Sequence, residues 1–179
     1  KGCAPVSELE AILPQVFYVL YHETFQSRSA FRLTAHAADV LSALGEWRAS
    51  RSPSEPALVL GVISNWDERL PLLLKRLGVQ QTTFDFVLTS HELGIEKPDA
   101  RIFEKARELA GVSAGSRCVH IGDSFHRDVM GAARAGEGWE AVFVCPEAGL
   151  AHVPLDDLAG TPYTRLDSLR PLPEILGCP

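Results

Sequence analysis

A hydroxyl, a carboxamide, an ammonium and two carboxylates stand just beyond short apolar runs in this chain. Ser64 and Asn65 close the run Leu58-Val59-Leu60-Gly61-Val62-Ile63, and Lys97 sits between Glu96 and Pro98 a little after a second run. Asp123 follows Gly122 at the end of Cys118-Val119-His120-Ile121, and Asp128 comes five residues later, where a helical pattern begins. Each type has an ordinary use. Asp123 could cap a helix, Asp128 could be solvated, Ser64 could cap, and Lys97 could form a surface ion pair with Glu96 or Asp99. Their joint occurrence at three successive strand ends points instead to phosphoryl chemistry. A serine hydroxyl and helix-terminal N–H groups donate to phosphate oxygens, a lysine supplies a compact positive charge, and carboxylate oxygens suit Mg²⁺.

The elements needed to gather these groups are legible. Leu58 to Ser64 is continuously apolar, as in a strand covered on both faces. Asp67 offers an N-cap, followed by an inward stripe of Leu70, Leu73, Leu74 and Leu77. Residues 84–89 read as the next strand. Pro98 and Asp99 open a helix with Ile102, Phe103, Ala106 and Leu109 inward and Gly111 at its end. Residues 117–121 form a third strand, 128–135 a short Ala/Gly-rich helix, and 140–145 a fourth strand. An edge strand near Tyr163 and a helical turn over 172–176 complete the tail. Strands alternating with helices specify an α/β fold with a doubly wound parallel sheet. Ligands in such sheets bind outside the carboxyl ends of the strands. All three polar ends therefore share one edge.

Upstream, residues 6–47 read as helical. Leu9, Ile12, Leu13, Val16 and Phe17 make the inward face, Pro14 an interruption, and 36–47 a second helix with Val40, Leu41 and Leu44 inward. Residues 49–57 form a polar, proline-punctuated connector.

Of the 179 residues, 46% are hydrophobic and 22% charged, enough for one core. The net charge of −6 argues against nucleic acid as a partner, and no apolar run reaches membrane-spanning length. Cys3, Cys118, Cys145 and Cys178 lack CxxC spacing, which favours free thiols in a reducing intracellular compartment, the cytoplasm, over disulfides or zinc. The first residue is Lys1, so organelle targeting stays open. Oligomeric state is not legible.

Ser64-Asn65, Gly94-Ile95-Glu96-Lys97-Pro98-Asp99 and Gly122-Asp123-Ser124-Phe125-His126-Arg127-Asp128 resemble the second, third and fourth motifs of the haloacid dehalogenase (HAD) superfamily, in order. Leu88-Thr89-Ser90 and Arg101-Ile102-Phe103 fit the same pattern, and the likeness runs over 35–146. The resemblance implies a Rossmann-like core over 35–179 and the end of a helical cap over 1–34. It implies a Mg²⁺-dependent phosphatase acting on a small phosphorylated substrate through an aspartyl-phosphate. Ser64 and Lys97 would be catalytic, and Ser64, Asn65 and Lys97 would bind substrate. Asp123 would ligate Mg²⁺, with Asp128 supporting the metal. Trp66, Phe125 and His126 are candidates for the mouth of the site. Arg127 stands where the family commonly has asparagine.

The family's first motif, Asp-x-Asp after an apolar strand, has no counterpart here. In the family that strand is central, lying between the strands that end at Ser64 and at Asp123. The expectation is a fragment without its nucleophile, inactive as it stands. A HAD-fold binding protein that lost its nucleophile and a 2-haloacid dehalogenase are the alternatives.

Overall fold

The computed structural model describes residues 6–24, 30–80, 82–146 and 160–178. Helix α1 (Val6–Tyr18) runs into a π-helical segment (Val19–Thr24), and α2 (Ala37–Ser50) follows. Then come β1 (Gly61–Ser64), α3 (Leu70–Arg76), β2 (Phe86–Thr89), α4 (Ser90–Leu93) and α5 (Ala100–Ala110). Next are β3 (Cys118–Gly122), a π-helical turn (Phe125–Val129), α6 (Met130–Arg134), β4 (Trp139–Val144), β5 (Thr164–Leu166) and α7 (Leu172–Leu176).

The local reasons match the sequence. The Asp99 carboxylate accepts from the Arg101 N–H at the start of α5. Gly111 closes that helix in the left-handed region at φ 65°, where a side chain would be strained. Ile102 and Phe103 are fully buried, and the Phe103 ring meets His120 and Trp139 edge-on at 5.0 and 5.2 Å. Each such side chain contributes roughly 1.5–3 kcal/mol by leaving water. Gly131 lets α6 approach α5, because a Cβ there would stand 2.7 Å from the Phe103 ring.

Every strand pairing is parallel, as expected of the doubly wound α/β fold. The sheet, however, is split. β1 pairs with β2, and β3, β4 and β5 form a separate set, with no ladder between β1 and β3 among the described residues. A cavity of about 500 Å³ lies between them, lined by Gly61, Val62 and Ile63 on one side and Val119, His120 and Ile121 on the other. The apolar run at β1 is therefore half-buried rather than covered on both faces.

Other expectations need correcting. Asp67 does not cap α3, whose first residue is Leu70; its carboxylate closes a turn onto the Arg69 N–H instead. Leu109 is 48% exposed, not inward. Pro14 lies inside α1 without ending it, and no residue of α1 is buried, so its apolar face meets no core.

Candidate functional site

The centre of the site is a buried carboxylate with cationic and neutral donors around it. Asp128 lies in the turn after β3. Its Oδ1 accepts from Lys97 Nζ at 2.6 Å and lies 3.0 Å from His120 Nε2, while its Oδ2 accepts from the Ser124 N–H at 2.9 Å. Their burial is close to complete, with side-chain exposures of 11% for Lys97, 9% for His120 and 5% for Asp128. A carboxylate can only accept, so His120 Nε2 carries a proton and donates it to Asp128. Burial pushes the Asp128 pKa upward, but hydrogen bonds from His120 and Lys97 overcome it and hold the group below the ordinary carboxylate range. Burial, helped by the Lys97 charge, pushes the His120 pKa down although Asp128 opposes it. Gly122 makes this possible: a Cβ at that position would fall 2.1 Å from the Asp128 carboxyl carbon.

Lys97 joins the two half-sheets. Besides Asp128 it donates to the Ile63 carbonyl at 2.9 Å, so one ammonium spans the carboxyl end of β1 and the loop after β3. Asn65 fixes the lysine backbone. Its Oδ1 accepts from the Lys97 N–H at 2.8 Å and its Nδ2 donates to the Lys97 carbonyl at 2.9 Å. Ser64 is half-buried, paired in register with Thr89, and its hydroxyl has no hydrogen-bond partner among the described residues. Asp123 is exposed at the end of β3. The Ser124 hydroxyl accepts from Arg127 N–H and Nε at 3.3 and 3.1 Å, which gives Arg127 a local role in shaping the turn.

Asn65, Lys97 and Asp128 are thus joined by hydrogen bonds, while Ser64 at the end of β1 and Asp123 after β3 make no side-chain hydrogen bond to them among the described residues. Ser64 and Asp123 are open to a ligand. Asn65 and Asp128 have their polar atoms engaged within the protein. Of the proposed mouth residues, Trp66 borders an open depression with Ser90, His91 and Glu96. His126 is exposed. Phe125 instead packs in the core against Phe143 and Tyr163. His120 was not assigned a role from sequence; its signal was a polar residue inside an apolar strand run.

An open carboxylate such as Asp123 fits Mg²⁺, which commonly keeps waters and takes one or two protein carboxylates. Asp128 accepts from Lys97 and His120 at Oδ1 and from the Ser124 N–H at Oδ2, which leaves one Oδ2 lone pair beyond these bonds. Among the described residues no group of three or more His, Cys, Asp or Glu side chains could hold a metal. None of the described helices is long and apolar enough to cross a membrane.

The family model for haloacid dehalogenase-like hydrolases matches residues 4–136. The chain belongs to that family. It is 38% identical over 133 residues to haloacid dehalogenase-like hydrolase domain-containing protein 3 of Bos taurus, covering 74% of this chain and 48% of that protein. It is likewise 38% identical over 123 residues to glyceraldehyde 3-phosphate phosphatase of Methanothermobacter thermautotrophicus, covering 65% of this chain and 50% of that one. Among solved structures, the 2-haloacid dehalogenase of Pseudomonas syringae superposes with a TM-score of 0.65 at 26% identity, over 97% of this chain and 64% of that chain. The chain spans about half the length of these curated relatives.

Proposed function

We propose that these residues form the phosphate-facing half of a Mg²⁺-dependent phosphatase that hydrolyses a small phosphate monoester through an aspartyl-phosphate. The observation that supports this most directly is the Lys97 ammonium, fixed between the Ile63 carbonyl and Asp128, with Ser64 at the end of β1 and an exposed Asp123 at the end of β3. The likeness to a phosphatase adds to it. In this reading an aspartate from outside the 179 residues attacks phosphorus. The ester oxygen leaves with a proton from a neighbouring acid. Water then attacks the aspartyl-phosphate, releasing inorganic phosphate and restoring the carboxylate.

Each residue of this chain has a bounded task. Ser64 Oγ donates to a phosphoryl oxygen, and Lys97 offsets the negative charge of nucleophile and phosphate. Asn65 acts through Lys97, holding its backbone in place. His120 and Asp128 hold the ammonium at the sheet edge. Asp123 is the carboxylate this chain would contribute to Mg²⁺, which when bound supplies further charge neutralisation. Alone, the chain has nothing for Ser64 and Lys97 to activate, and no turnover is expected from it.

The test is phosphate release from an aryl phosphate by the protein extended upstream to include an Asp-x-Asp strand, with Mg²⁺ and with EDTA. Turnover that disappears in EDTA supports the reading. Chloride release from a 2-haloacid in EDTA would transfer it to dehalogenation. No turnover on either substrate would leave a binding protein.

A further inference from the structure

The loop that carries Lys97 has a second side. A depression of about 560 Å³ opens where the segment after β1 meets α4, with Asn65, Trp66, Asp67, Ser90, His91 and Glu96 in its lining. That size suits a small organic group. Most of its polar side chains are already used. The Asp67 carboxylate accepts from Arg69 Nε at 2.8 Å, the Ser90 hydroxyl donates to the Trp66 carbonyl at 3.2 Å, and the Asn65 carboxamide holds the Lys97 backbone. His91 Nε2 lies 3.4 Å from a Glu68 carboxylate oxygen. Glu96 differs: it is exposed, and its carboxylate makes no hydrogen bond or ion pair among the described residues. Lys97, its neighbour in sequence, turns to Asp128 instead.

An indole lines the same depression. The Trp66 carbonyl also accepts from the His91 N–H at 3.2 Å, and the Trp66 ring meets Phe31 edge-on with centroids 5.3 Å apart. Backbone bonds and a packed ring together fix Trp66 in place. An aromatic ring and an unpaired carboxylate in one concave wall attract a substituted ammonium, because the ring quadrupole and the negative charge both favour a cation. The same carboxylate repels an anionic group.

One short loop thus offers opposite charges: the Lys97 ammonium at Ile63 and Asp128, and the Glu96 carboxylate at the depression. We propose that Trp66 and Glu96 form a subsite for a substituted ammonium, so that the substrate is a zwitterionic phosphate monoester of the phosphocholine type. The phosphoryl end rests on the phosphatase reading above; the ammonium subsite does not. Trp66 and Glu96 hold the part of the substrate that leaves as an amino alcohol and take no part in bond breaking. Monoesters whose leaving group carries a carboxylate are repelled by Glu96.

The test pairs each cation with its carbon isostere. Choline and 3,3-dimethylbutanol are titrated into the 179-residue chain, followed by amide chemical shifts. Saturable shifts at Trp66, Gly94 and Glu96 are expected with choline and not with the alcohol. The upstream-extended protein is then given phosphocholine, 3,3-dimethylbutyl phosphate and glycerol 3-phosphate. Its kcat/KM should favour phosphocholine over the carbon isostere by at least about tenfold, and Glu96→Gln should bring that ratio below about threefold. Trp66→Leu should lower the ratio as well. Glu96 is exposed, so its variant decides if Trp66→Leu does not fold. Equal shifts from choline and the alcohol, no choline shifts at these residues, or a ratio unchanged in Glu96→Gln would each overturn the proposal. So would equal turnover of glycerol 3-phosphate, which would mark a polyol site. Hydrolysis of 4-nitrophenyl phosphate with no choline preference would remove this inference and leave the phosphatase reading standing. Choline-specific shifts without hydrolysis by the extended protein would do the reverse.

Discussion

Asp128→Ala removes the acceptor shared by Lys97, His120 and the Ser124 N–H. Lys97, 11% exposed, would then carry a charge with no carboxylate in contact. Breaking a buried ion pair from one side costs about 3–5 kcal/mol. For a chain of this size each kcal/mol shifts Tm by about 2–4 °C, so a fall of about 10 °C is expected. Lys97→Met in the same chain removes the stranded ammonium. The double variant should therefore recover at least about 1.5 kcal/mol relative to the sum of the singles. Urea unfolding of the parent, both singles and the double gives all four corners of the cycle. Additivity within about 0.5 kcal/mol would refute the coupling, and with it the view that Asp128 exists to hold the lysine.

Acid should weaken the fold in two windows. His120 has a folded-state pKa pushed down by burial, so the unfolded chain binds the proton more readily. Stability then falls as pH drops below about 6.5, by up to about 1.4 kcal/mol per pH unit. Urea midpoints should show this slope in the parent and lack it in His120→Asn. Asp128, held below the ordinary range, contributes stability present above about pH 3.9 and lost as pH falls further; Asp128→Asn should flatten that limb. Asn65→Ala removes both bonds to the Lys97 backbone. A loss of about 1–3 kcal/mol is expected, with faster amide exchange at Lys97. Gly122→Ala places a methyl where the Asp128 carboxyl lies, and should destabilise as Asp128→Ala does, read by the same melts.

The fold was legible where pattern and chemistry agreed. Period-3.6 spacing and the Asp99 cap placed α5, and the tail helix over Leu172–Leu176 falls on the expected residues. The approach of Lys97 to the carboxyl end of β1 and to Asp128 after β3 fits parallel strands whose ends lie on one side. Engagement was not legible. Nothing in the spacing shows that Asn65 spends its side chain on Lys97, or that Asp128 is enclosed by His120 and Lys97, because those bonds depend on tertiary contacts. The face assigned inward at Leu9, Ile12, Leu13, Val16 and Phe17 is exposed instead, because 3.6-residue spacing gives a helix its apolar stripe but not a neighbour to cover it. Asp67 is drawn off from capping α3 by local competition, since its carboxylate bonds the Arg69 guanidinium as well as the Arg69 N–H, and the N-cap position falls on Arg69 with no side-chain cap.

The most direct measurement is steady-state phosphate release, with Mg²⁺ present, by the upstream-extended protein and its Lys97→Met variant. An activity in the parent that falls by at least about a hundredfold in the variant, with the variant still folded, is expected if this ammonium stabilises the reacting phosphate. Parent and variant turning over at similar rates would contradict it.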